Sequence, residues 1–156
     1  MCRMFYIGAN RPLSSVDQTN QVPDLGVTQI IGEVETCVRS VIAYPFLYYV
    51  ASWQGCSCGF YYEDRAELEY GLSEIPDEAV CATCRDYWQR GYNSVQLLGH
   101  YLNEQVQLGS ITLYVAWAGL EGKPIKHQQS VTPKYFGGSA FDPIPEDSLL
   151  TITLDR

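Results

Sequence analysis

A chain of 156 residues, 46% hydrophobic and 18% charged, has the composition of one globular domain long enough to bury a core without staples. Ten Lys and Arg against 18 Asp and Glu give a formal charge of -8, and no basic cluster offers a surface for phosphates, so nucleic acid is not an expected partner. No apolar run approaches the ~20 residues of a membrane helix and no leader-like segment opens the sequence, which predicts a soluble cytoplasmic protein with no membrane association.

Residues 3 to 9, Arg-Met-Phe-Tyr-Ile-Gly-Ala, read as a first strand, apolar on both faces and therefore interior. After a loop with Pro12 and Pro23, Val27 to Ile31 is a short second strand. Val34, Cys37, Val38, Val41 and Ile42 fall at helical spacing and predict a short amphipathic helix over 33–43, ended by Pro45. The aromatic runs on either side of Gly55-Cys56-Ser57-Cys58-Gly59 predict a β-hairpin over 46–63.

An acidic exposed segment over 63–73 leads to Pro76 and Asp77, suited to the first turn of the longest helix. Its apolar stripe runs through Val80, Cys84, Trp88, Val95, Leu98, Leu102 and Val106, and Gly91 is a point where it would divide in two. Residues 111–118 form a further strand, 119–148 an irregular polar loop in which Thr132-Pro133 caps a short turn, and 150–154 a half-exposed last strand. The order predicts an α+β fold: a single domain over 1–156, with a mostly antiparallel or mixed sheet and one long and one short helix packed on one face.

Two thiols in a tight turn carry the most chemistry. At i and i+2 in extended backbone, Cys56 and Cys58 point to one side, and a thiolate pair selects zinc or copper(I). The alternative is two small buried hydrophobes. Cys81 and Cys84, at i and i+3 on a helix, would complete a four-thiolate zinc site, although C-x-C followed by C-x-x-C departs from the usual zinc spacing; redox chemistry and simple packing are the other readings. Cys2 becomes an N-terminal nucleophile if Met1 is removed, or a third sulfur beside Cys56 and Cys58. In a secreted protein the six cysteines, with Cys37, would make three disulfides; without a leader, reduced thiols or a metal are expected.

His100 falls on the polar helix face with Gln96, Asn103 and Gln107, and His127 in the polar loop, so neither marks a catalytic pair. Twelve tyrosines exceed what a small core needs. Of Tyr44, Tyr48, Tyr49, Tyr61 and Tyr62 most are expected in the core with their hydroxyls at the surface, and an exposed remainder together with Glu63, Asp64, Glu67 and Glu69 would make a face for a basic protein partner.

The opening Met-Cys-x-Met-Phe-Tyr-Ile, the later Tyr-Tyr-Val-x-Ser-x-x-Gly-Cys-x-Cys-Gly-Phe and the strand Leu113 to Gly119 resemble a family of small uncharacterised bacterial proteins. The resemblance implies no catalytic residue. It includes Cys2, Cys56 and Cys58 but not Cys81 and Cys84, which favours a three-sulfur arrangement. Three functions are thereby expected: a non-enzymatic binding protein, such as an immunity-type neutralising partner of another protein; a thiolate protein holding zinc or copper through Cys56 and Cys58; or a cysteine-dependent enzyme using Cys2 or Cys56.

Overall fold

Strand β1 (Arg3–Ala9) lies in the middle of the sheet, as its apolar character on both faces requires. The protein is described here by a computed structural model covering residues 2–19, 24–61, 82–137 and 144–154. β1 pairs antiparallel with β3 (Phe46–Ser52) on one side and β4 (Ile111–Trp117) on the other. Outward from these lie β2 (Leu25–Gln29), antiparallel to β3, and β6 (Ser148–Ile152), antiparallel to β4. β5 (His127–Val131) closes the far edge, parallel to β6, so the order is β2-β3-β1-β4-β6-β5 in a mixed sheet. With the short helix α1 (Glu33–Arg39) and the long helix α2 (Ala82–Val106), this is the expected α+β architecture.

Alternation along the strands divides the apolar residues into two cores. Phe5, Ile7, Tyr48, Val50, Leu113 and Val115 face α2, which contributes Val95, Leu98 and Leu102. Tyr6, Leu47, Tyr114 and Ala116 face the other way, toward Val38 of α1 and Ile42 just beyond it. The helices therefore cover opposite faces of the sheet, and the expectation that both pack on one face is corrected. Gly8 lets α1's side come close, since a Cβ there would stand 2.9 Å from the Tyr44 ring.

Four further expectations change. The hairpin does not form: β3 ends at Ser52, and Ser57–Tyr61 is a 3-10 turn whose Phe60 stacks on Phe5 at 4.9 Å between ring centroids. The segment 119–148 is not wholly irregular, because it contains β5 and the short 3-10 turn Pro133–Phe136 beginning after Thr132. α2 runs unbroken through Gly91, which is buried, and Gln96 is half-buried, its amide donating to Phe136 O at 3.4 Å, so it is not on the solvent face. Pro76, Asp77, Val80 and the acidic segment 63–73 lie outside the described residues. Among the described residues no helix is long and apolar enough to cross a membrane.

Candidate functional site

Gly-Cys-Ser-Cys-Gly folds for local reasons, and these leave its cysteines without a structural task. Gly55 adopts φ +74, open to glycine without strain, and its N–H closes a turn onto Ser52 O at 2.9 Å. Ser52 Oγ donates to Cys56 O at 2.5 Å and accepts from Gly59 N at 3.0 Å. Gly59 is also needed for space, since a Cβ there would meet the Trp53 Nε1 at 2.7 Å. Ser57 is fully buried: its hydroxyl accepts from Phe5 N at 2.9 Å and donates to Val50 O at 2.6 Å. It thus caps the end of the β1–β3 ladder, where Phe5 is paired with Val50.

With Ser57 turned inward, Cys56 and Cys58 remain half-buried on either side of it. Cys2, at the N-terminal end of β1, is exposed and held in place from two directions. Its carbonyl accepts from Ala118 N at 2.8 Å, and the next residue, Arg3, lies over the Tyr61 and Trp117 rings at 4.2 and 5.3 Å. The Cys58 thiol consequently lies near enough to Cys56 and Cys2 for both to act on its titration. Burial first, then hydrogen bonding to and charge on these two neighbours, push the Cys58 thiol up to about 12. Cys58 therefore keeps its proton at neutral pH, between two thiols able to share it. The C-x-C turn and Cys2 both lie at the end of the two central strands, not at the sheet's lateral edge.

The row adjoins a cleft. Cys2, Met4 and Tyr6 alternate onto the α1 face of β1, and Met4 and Tyr6 line a cavity of about 330 Å³ with Tyr49, Ile30, Val34 and Glu121. Tyr49 joins the two features: it lines the cleft and lies close enough to Cys56 and Cys58 for their charge to help raise its phenol, after burial as the main cause. At the other side the Tyr6 hydroxyl donates to Glu121 Oε1 at 2.8 Å, and burial followed by that carboxylate pushes the Tyr6 phenol up. Met4 and Tyr6 were within reach of sequence reasoning, being two and four residues from Cys2 on a strand. Glu121 was not, because only the sheet brings the loop after β4 over β1.

The other candidates stand apart. Cys81 lies outside the described residues, and Cys84 lies in the first turn of α2 with its side chain outside them, so the four-cysteine site is not described. Cys37 is exposed on α1, His100 is exposed on α2 and His127 is exposed on β5. Tyr48 and Tyr61 turn their hydroxyls to internal backbone, accepting from Leu13 N at 2.9 Å and donating to Ile144 O at 2.7 Å, rather than reaching the surface. Tyr62, Glu63, Asp64, Glu67 and Glu69 are outside the described residues. Among the described residues no group of three or more His, Cys, Asp or Glu side chains is disposed to hold a metal ion.

Comparison of the chain with family models, with curated proteins and with solved structures gave no match.

Proposed function

We propose that the protein works by thiol–disulfide exchange, with Cys58 as the common partner of Cys2 and Cys56. The observation that carries this reading is the placement of Cys56 and Cys58 on either side of Ser57, whose hydroxyl accepts from Phe5 N at the end of β1 where Cys2 lies. Exchange needs a thiolate that attacks a disulfide sulfur and a second thiol near enough to resolve the mixed disulfide. An outer thiol, exposed Cys2 or half-buried Cys56, supplies the first, and Cys58 beside it supplies the second once its proton has passed to the thiolate that the first step releases. Holding the resolving thiol nearby replaces a bimolecular encounter with an intramolecular one.

Zinc or copper(I) binding is the other reading of these cysteines; a metal would have to draw the three sulfurs to a common point and displace the Cys58 proton. The basic-partner reading rests on the acidic segment outside the described residues and draws no support from the site. One experiment separates exchange from metal binding. Protein purified without a metal-affinity tag is analysed for metal, treated anaerobically with glutathione disulfide, blocked and mapped by mass. Every intramolecular disulfide should contain Cys58, and Cys58→Ser should stop at a mixed disulfide with glutathione. Stoichiometric zinc or copper, or disulfides that leave Cys58 out, would overturn the exchange reading.

A further inference from the structure

The cleft beside the thiols has the makings of a substrate seat. Its volume of about 330 Å³ is at the lower end for small-molecule sites and fits a small ligand, not a large cofactor. Its walls are largely apolar, from Met4, Tyr49, Ile30, Ile31 and Val34. Two of these are left open at its mouth, Ile31 at 80% and Val34 at 45% exposure, although each would be expected to seek cover. Glu121 is the one carboxylate among the described lining residues. Tyr6 engages its Oε1, and among the described residues no Lys or Arg forms an ion pair with it. A half-buried carboxylate on an apolar wall favours a ligand that brings its own cation.

We infer that this cleft seats a low-molecular-weight disulfide bearing a protonated amine, its ammonium on Glu121 and its sulfurs toward Cys2, Cys56 and Cys58. The inference rests on the exchange reading above and names the substrate class that the reading leaves open. The alkyl arm lies against Met4 and Tyr49, the two residues between Glu121's wall and the thiols. An outer protein thiolate attacks one sulfur of the ligand, forming a mixed disulfide and releasing one aminothiolate. The Cys58 thiol gives its proton to that aminothiolate, and its sulfur then attacks the protein-side sulfur of the mixed disulfide, forming the protein disulfide and releasing the second aminothiolate. The protein dithiol loses two electrons, the ligand disulfide gains them, and the two protein thiol protons leave on the two aminothiols.

The test compares three small disulfides of similar length: cystamine, which is cationic, bis(2-hydroxyethyl) disulfide, which is neutral, and dithiodiglycolate, which is anionic. The rate of Cys58-containing disulfide formation is read by quenching and mass mapping. The net charge of -8 favours cations on its own, so Glu121→Gln is set against Glu104→Gln, an exposed change of equal charge on α2, across the sheet. Cystamine should lose about five- to tenfold in rate in Glu121→Gln and less than about twofold in Glu104→Gln. The neutral reagent should react at an unchanged rate in both variants, which also shows that the thiols remain in place. Equal cystamine losses in the two variants would overturn the cleft assignment and leave exchange standing. If no reagent yields a Cys58 disulfide, exchange itself fails and this inference falls with it.

Discussion

The two faces of β1 are built from alternate residues of one short segment and serve opposite ends. Phe5, Ile7 and Ala9 are wholly buried against α2 and the strands beside them. Cys2, Met4 and Tyr6 point to the face that seven-residue α1 covers only in part. On the first face, apolar shapes interlock and the hydroxyls of Tyr48, Tyr61 and Tyr101 are all bonded to backbone. On the second, Tyr6, Tyr49 and the Glu121 carboxylate line the space that α1 leaves uncovered, with the thiols beyond Met4. A sheet with unequal cover can keep its stability on one side and its reactive groups on the other, because changes on the open side cost little packing.

That contrast sets the largest expected effect. Phe60→Ala removes a fully buried ring stacked on Phe5 and should cost about 3–5 kcal/mol. Val34→Ala, at the mouth of the cleft, should change stability by less than about 0.5 kcal/mol. Urea titrations of the two variants measure both, and similar losses would mean that the α1 face is packed as tightly as the α2 face.

Next in size is Ser57→Ala, at the seam between the faces. It leaves the buried Phe5 N–H without its acceptor and should cost about 1–3 kcal/mol. Since Ser57 also holds Cys56 and Cys58 on either side of it, the variant should form Cys58 disulfides more slowly at a urea concentration where it is still folded. Unchanged disulfide formation would show that the serine carries stability alone.

The α2 face could be read from the sequence and the α1 face only in fragments, for physical reasons. Val95, Leu98, Leu102 and Val106 recur at helical spacing, and Leu150 and Ile152 at strand spacing, so their burial follows from period alone. Phe60 and Tyr61 looked like a strand because aromatic runs fit one, yet β1 and β2 pair with both edges of β3 and leave none for a hairpin partner. β5, His-Gln-Gln-Ser-Val, is almost wholly exposed and has no apolar alternation to reveal it; only its parallel ladder with β6 makes it a strand. The meeting of Cys2 with the C-x-C turn was within reach, since the antiparallel pairing of the two central strands brings the start of one to the end of the other. Tyr6 joining Glu121 across 115 positions had no local sign.

The smallest effect tests the centre of the thiol row through its proton. In the unfolded chain Cys58 titrates near its ordinary value of 9.0, while in the fold it is held up to about 12 by burial and by Cys56 and Cys2. Between those values the unfolded chain has released this proton and the folded protein has not. The folded state then binds more protons, and stability must fall as pH rises. The contribution is therefore complete below about pH 9 and lost as pH climbs toward 12. Wild type and Cys58→Ser share the other titrating groups, so the difference between their urea stabilities should isolate this proton. From pH 8 to 10.5 the wild type should decline more steeply than Cys58→Ser, by a modest amount because the thiol is only half-buried. Iodoacetamide gives a second check over the same range, with Cys58 alkylated more slowly than exposed Cys2 and Cys37. Parallel stability profiles together with rapid alkylation of Cys58 would mean that the thiols do not hold one another, and the open face would keep its cleft but lose its reactive centre.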